Sequence, residues 1–217
     1  MENKGILTVV SGFSGTGKGT VVKLLAAAND NYKISVSYTT RSRREGEIEG
    51  VDYYFKSDDE FEMMIEQNGF IEHAGFVGKH YGTPREDVER WLEAGFDVIL
   101  EIEVDGAMQV KKSMPDSVFI FILPPSVREL KNRLEKRGSE SGEEITRRVK
   151  RAGKECGFVD KYDFVVVNHI AGECARAVDE IIKSVKAGKD PARYRVSSAE
   201  NRELINRIAG ELKQEDT

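Results

Sequence analysis

Four apolar runs punctuate the chain, at residues 6–10, 98–100, 118–123 and 164–167. They are short, rich in β-branched residues and without polar alternation, which predicts strands covered on both faces, as in a parallel sheet. Between or after them, apolar residues recur at helical spacing over 21–28, 108–112, 127–137 and 174–185. Strands alternating with helices predict an α/β core with helices on both faces of the sheet.

Two stretches break this rhythm. Over 35–94 the strand-like pieces are shorter (35–39, 53–55 and 70–76). Gly-rich turns such as Glu49-Gly50 separate them, and helix candidates follow Asp58 and Pro84. This pattern predicts an inserted α+β lobe. The segment 137–155 is charged and carries Gly138 and Gly142, the pattern of a helical lid or flap. The core then comprises 1–34, 95–136 and 156–186, within one domain spanning 1–186. Beyond Gly188 and Pro191 a polar tail, 187–217, has the pattern of a helical extension.

Where the first strand meets the first helix stands Gly12-Phe13-Ser14-Gly15-Thr16-Gly17-Lys18-Gly19-Thr20. A buried strand, a glycine-rich turn and a helix N-terminus together make an anion site, with converging backbone N–H groups, a favourable dipole and a mobile cation in Lys18. The pattern G-x-x-x-x-G-K-[ST] is met through Lys18, but Gly19 takes the place of the hydroxyl residue, which arrives one position later as Thr20. The segment predicts a nucleotide held by its phosphates.

Composition narrows the class. At 217 residues, 39% hydrophobic and 33% charged, the chain can bury a sizeable core without staples. A net charge of −5 argues against broad nucleic-acid binding. The two cysteines, Cys156 and Cys174, lack metal-ligand spacing, no apolar run is near the ~18 residues of a spanning helix, and no signal peptide is expected. A cytoplasmic protein with no membrane partner is expected.

The lobe carries further chemistry. Arg41 and Arg44, near Ser37 and Tyr53, suit a second phosphate group, since Arg offers paired donors and Ser and Tyr add neutral ones. The bland alternative is a solvated basic loop offset by Glu45, Glu47 and Glu49. Glu72, near the hydroxyls of Tyr81 and Thr83, suits an N–H-rich base edge such as guanine presents. His73 and His80 read as structural or surface residues. Glu101 and Glu103 lie at the carboxyl end of a core strand, where α/β sheets bind ligands. They suit one acid holding a magnesium-bound water and the other facing a substrate base, or equally two solvated charges at a strand end. Arg133 and Arg137 are helical i,i+4 neighbours, followed by Arg147 and Arg148. They suit the charge of a transferring phosphoryl group, or equally ordinary surface pairs with Glu129, Glu143 and Glu144.

In this order, these segments resemble the guanylate kinases, over roughly residues 5–186. The likeness rests on the loop at 12–20, Ser37-x-Thr39-Thr40-Arg41-x-x-Arg44, Gly50-x-Asp52-Tyr53-x-Phe55 and Phe70-Ile71-Glu72. It continues through Tyr81-Gly82-Thr83, Ile99-Leu100-Glu101-Ile102, Pro124-Pro125-Ser126, Arg133-Leu134-x-x-Arg137-Gly138 and Val166-Val167-Asn168. The resemblance implies a P-loop kinase core that transfers the γ-phosphoryl of ATP to GMP, with Mg²⁺. It implies that Lys18 and the 12–20 loop hold ATP, with Asn168 near the adenine. Arg137 and Arg148, joined by Arg133, are the implied lid arginines. Ser37, Arg41, Arg44, Tyr53 and Tyr81 fall at GMP-site positions, the arginines and tyrosines on its phosphate, and Glu72 and Thr83 fall at guanine contacts. Lys18, Arg41, Arg137 and Arg148 are the expected catalytic cations and Thr20 the expected protein ligand for Mg²⁺. The chain departs from the family pattern at Gly19, at Glu103 (usually Asp), at Asp105 (usually Gln) and at His169 (often Asp). A monomer or homodimer is expected. Another nucleoside monophosphate kinase, a P-loop hydrolase and a non-catalytic binding module of the same fold are the alternatives.

Overall fold

The computed structural model describes residues 4–76, 78–136 and 142–215. In chain order the elements are β1 (Leu7–Gly12), α1 (Lys18–Ala27), β2 (Tyr32–Ile34), β3 (Tyr38–Thr39), β4 (Tyr54–Phe55), α2 (Asp58–Glu66), β5 (Phe70–Phe76) and β6 (Lys79–Pro84). They continue with α3 (Arg85–Glu93), β7 (Asp97–Glu101), α4 (Val104–Ser113), β8 (Val118–Leu123), α5 (Val127–Lys136), α6 (Gly142–Cys156), β9 (Phe164–Val167), α7 (Ala171–Lys186) and α8 (Ala199–Gln214). The larger sheet has the order β2-β7-β1-β8-β9, and its β2–β7 and β8–β9 pairs are parallel. The α/β fold class expected from the apolar runs is therefore the one observed. The chain divides into two compact units, Met1–Val9 with Asp30–Ser117, and Val10–Asn29 with Val118–Thr217.

The first unit also holds a smaller sheet of order β4-β3-β6-β5. The strand pairs β3–β6 and β5–β6 are antiparallel and β3–β4 is parallel. Strand β6 is absent from the sequence expectation, because Gly82 and Pro84 interrupt its alternation. Its pairing on both sides, with β3 and with β5, makes it a strand nonetheless. Phe61 of α2 stacks on Phe70 of β5, ring centroids 4.5 Å apart, and both are buried. Helix α2 starts where a capping box allows it: Ser57 Oγ accepts from the Glu60 N–H at 3.1 Å, and the Glu60 carboxylate from the Ser57 N–H at 2.8 Å. At the start of β7, buried Asp97 accepts from the Ile6 N–H and from Asn31 Nδ2, each at 3.0 Å.

The second unit is built on β8, whose six residues are all buried. Phe121 is met edge-on by Phe13 at 5.3 Å and by Tyr162 at 5.0 Å, the preferred arrangement for aromatic quadrupoles. Helices α1 and α7 pack together. Helix α1 begins at Lys18, three residues earlier than the apolar periodicity suggests, because the glycine turn itself supplies its N-cap. The described part of the charged flap is helix α6. The polar tail is helix α8, whose Ile205, Ile208 and Leu212 are buried and which packs on α5 and α6. Glu211 accepts from the Val127 N–H at 2.9 Å, Lys131 pairs with Glu215, and Arg207 donates to the Pro125 carbonyl at 3.1 Å. Cys156 and Cys174 are free and buried. Among the described residues, no helix is long and apolar enough to cross a membrane.

Replacing Phe121 with Ala removes the ring that Phe13 and Tyr162 share, at a site with no exposure. The expected loss is about 3–5 kcal/mol, read as a lower denaturant midpoint for the second unit's spectroscopic signal.

Candidate functional site

The loop after β1 takes its shape from local physics. Gly17, the N-cap of α1, has φ 87° and ψ 22°, a left-handed conformation that disfavours a side chain. A Cβ there would also lie 2.8 Å from Asn168 Nδ2. Thr16 folds the turn back on itself, its N–H and Oγ1 both donating to the Phe13 carbonyl, at 3.1 and 2.8 Å. Lys18 is buried, and its Nζ donates to the Gly12 carbonyl at 2.6 Å, so its ammonium lies along the loop.

Side chains from elsewhere in the second unit fasten this loop. The Thr16 carbonyl accepts from Asn168 Nδ2 at 2.7 Å and from Arg133 NH1 at 3.2 Å. Arg133 also donates to the Asn168 carbonyl at 2.8 Å and pairs with Glu129 through Nε at 2.9 Å. Arg148 of α6 donates to Ser14 Oγ at 2.8 Å. The residues expected to hold ATP, Gly12 to Thr20 with Arg133 and Asn168, are thus brought together with Arg148. Thr20 is exposed in the first turn of α1 and Gly19 precedes it. Arg137 lies outside the described residues.

A second cluster stands in the first unit. The Arg41 guanidinium lies 5.3 Å above the Tyr53 ring, and Tyr53 and Tyr81 meet edge-on at 5.9 Å. Burial raises the pKa of Tyr53 and keeps its hydroxyl a donor. The Ser37 carbonyl accepts from the Tyr54 N–H at 2.9 Å, which sets Ser37 against the start of β4. The Arg44 main-chain N–H is held by Glu47 at 2.8 Å, while Arg44 itself is exposed.

On the same small sheet, Glu72 of β5 is 5% exposed. Its Oε1 accepts from Thr83 Oγ1 at 2.6 Å. Burial pushes its pKa up, and the hydrogen bonds from Thr83 oppose that rise. Gly106, in the first turn of α4, faces the other carboxylate oxygen so closely that a Cβ would sit 2.3 Å from Oε2. Gln109 of α4 anchors the strand, Nε2 donating to the His73 carbonyl at 2.8 Å and Oε1 accepting from the His73 N–H at 3.2 Å. Glu101 ends β7, exposed, and Glu103 is the N-cap residue of α4. Neither Gly106 nor Gln109 stands out in the sequence, and Glu47 is there one of three acids that could simply offset a basic loop. A glycine three residues past Glu103 and an acid three past Arg44 are weak signals until the fold sets them in place.

A parallel sheet flanked by helices, with a glycine loop opening onto α1, defines a P-loop kinase fold. Residues 4–185 match the family model described as guanylate kinase. The chain therefore belongs to the guanylate kinase family. The guanylate kinase of Clostridium perfringens is 44% identical over 207 residues, covering 95% of this chain and 96% of that protein. That of Caldanaerobacter subterraneus subsp. tengcongensis is 48% identical over 189 residues, covering 87% and 90%. A crystal structure of guanylate kinase from Anaplasma phagocytophilum is similar with a TM-score of 0.68 and 32% identity, over 96% of this chain and 98% of that one.

Because the folded pKa of Glu72 is raised, the folded state binds more protons than the unfolded chain just above the ordinary carboxylate range. Stability falls as pH rises through that window. Replacing Glu72 with Gln should therefore raise the melting temperature at neutral pH. The difference should shrink towards zero below about pH 4, measured by thermal melts across pH.

Proposed function

We propose that this protein transfers the γ-phosphoryl group of ATP to GMP or dGMP, giving ADP and GDP or dGDP. The observation that carries this reading is the buried Glu72–Thr83 pair on the same small sheet as Tyr81, with Arg41 just past β3 and Tyr53 just before β4. Tyr81 and Thr83 are two apart on β6 and so point to one side of the strand. The sheet and the segments flanking its strands then offer a carboxylate for the ring N–H and exocyclic amine of guanine, and cations and phenols for the 5′-phosphate. The lobe 35–94 is the GMP-binding part, Glu101 and Glu103 flank the base and Ser37 and Arg44 complete the phosphate contacts.

The fastened loop of the second unit is the ATP-phosphate site. Lys18 swings from the Gly12 carbonyl to the phosphates, the loop amides supply neutral donors, and Arg133 and Asn168 hold the loop in shape beside the nucleotide. A GMP phosphate oxygen attacks the γ-phosphorus and ADP leaves, so no protein nucleophile is needed. What the protein supplies is alignment and neutralised charge. Lys18, Arg41, Arg148 and Arg137 supply the positive charge, the last two from the lid, 137–155. Mg²⁺ would add positive charge on the ATP phosphates. The exposed Thr20 hydroxyl, a hard oxygen donor two residues past Lys18, fits as its protein ligand, with phosphate oxygens and water completing the shell. Buried free thiols suit the reducing cytoplasm.

Initial rates with ATP and Mg²⁺, measured as ADP formation against GMP, dGMP, AMP, CMP and UMP, should show strong preference for the guanine nucleotides. Turnover of AMP alone would overturn the reading. Lys18→Ala should lower kcat by about 100-fold or more, and near-normal turnover would remove Lys18 from its role.

A further inference from the structure

Glu47 is engaged by every basic residue of the 41–44 segment. Arg41 donates to it twice, NH1 to Oε2 at 3.0 Å and NH2 to Oε1 at 2.7 Å, in the side-by-side geometry that fixes a guanidinium plane. The same Oε2 accepts from the Arg44 main-chain N–H at 2.8 Å. The Glu47 N–H returns to the Arg44 carbonyl at 3.2 Å, and the Arg43 side chain donates to the Glu47 carbonyl. One carboxylate therefore closes the loop that carries both arginines. The same Arg41 guanidinium stands over the Tyr53 ring. The Arg41 and Glu47 side chains are only 14% and 19% exposed, so the pair is better shielded than an ordinary surface salt bridge. Arg41 holds Glu47 at a pKa of about 2, which keeps the carboxylate ionised at any working pH.

We infer that Glu47 is a positioning residue for the acceptor phosphate. It holds Arg41 through its guanidinium and Arg44 through its main chain, in the arrangement that receives the 5′-phosphate of the nucleoside monophosphate. The inference rests on the proposed GMP site. An arginine carries five N–H donors, so pairing with Glu47 orients the group without consuming it. Left alone, two arginines three residues apart on a short loop repel each other and sample many rotamers, and ordering them on binding would weaken affinity. Glu47 meets both costs before the phosphate arrives.

The test compares the wild type with Glu47→Gln and Glu47→Asp. It reads kcat, KM for GMP, KM for ATP, and the inhibition constant of guanosine, which has the base but no phosphate. Glutamine keeps the size but loses the ionised, two-oxygen acceptor. Aspartate keeps the charge but is one methylene too short to reach both Arg41 and the Arg44 N–H. With Gln, KM for GMP should rise about tenfold, while KM for ATP and guanosine inhibition stay within twofold. Asp should give a smaller rise. An unchanged KM for GMP overturns the inference, and a lowered one shows Glu47 to be a competitor of the phosphate. Parallel weakening of guanosine and GMP shows a general loosening of the lobe and also overturns it. If Gln does not fold, judged by its melt, the same readings on Asp decide. A wild type that does not turn over GMP sinks the functional reading itself. A wild type that does, with both variants unchanged, sinks only the role of Glu47.

Discussion

A loop that binds anions through its amides must keep its carbonyl oxygens from turning inward, and the second unit is arranged around that requirement. The Thr16 carbonyl is the critical one, lying one residue before the left-handed Gly17 and two before Lys18. Asn168, at the end of β9, and Arg133, on α5, both donate to it. Arg133 is itself tied to Glu129 and to the main chain of Asn168. The buried β8 and β9 pair and the helix α5 are the scaffold that brings these donors to one oxygen. The loop's shape thus depends on tertiary contacts as much as on its glycines.

The first unit solves a related problem with opposite signs. There, cations must be gathered without repelling one another, and carboxylates do the gathering. Glu47 ties down Arg41 and the main chain of Arg44, and Tyr53 supports the guanidinium from its face. Glu72 is the contrasting acid. It is buried, bonded to a neutral hydroxyl, and raised in pKa where Glu47 is lowered. Two glutamates on one lobe are thus pushed in opposite directions by burial and by a neighbouring guanidinium, which fits one for a neutral base edge and the other for ordering charge.

What the sequence made legible follows from how local each signal is. The buried strands were readable because a strand covered on both faces must be apolar throughout, as 118–123 is. The phosphate loop was readable because glycine, lysine and a strand-to-helix switch coincide within nine residues. Strand β6 was not, since its identity comes from partners on both sides and not from its own residues. Gly106 carried no signal of its own, because its backbone is ordinary helix and its need for hydrogen comes from Glu72, far away in sequence. Glu47 looked like dilution of a basic loop, because an acid among arginines reads the same whether it screens them or orients them. Arg133 and Asn168 were legible as belonging near ATP through family likeness, but their grip on the Thr16 carbonyl exists only in three dimensions.

Helix α1 and the glycine loop belong to a unit whose other part begins only at Val118. During synthesis the loop therefore emerges early and waits. The partner of the Thr16 carbonyl, Asn168, lies 152 residues further along. At ordinary translation speeds that is a delay of roughly 8–30 seconds. Through that interval the loop has only its own local bonds, such as those of Thr16 to the Phe13 carbonyl, and the intervening segment, Asp30–Ser117, has time to fold first. The order of manufacture is the reverse of what the loop's place near the start of the chain suggests: the small sheet is ready early, and the glycine loop is finished late.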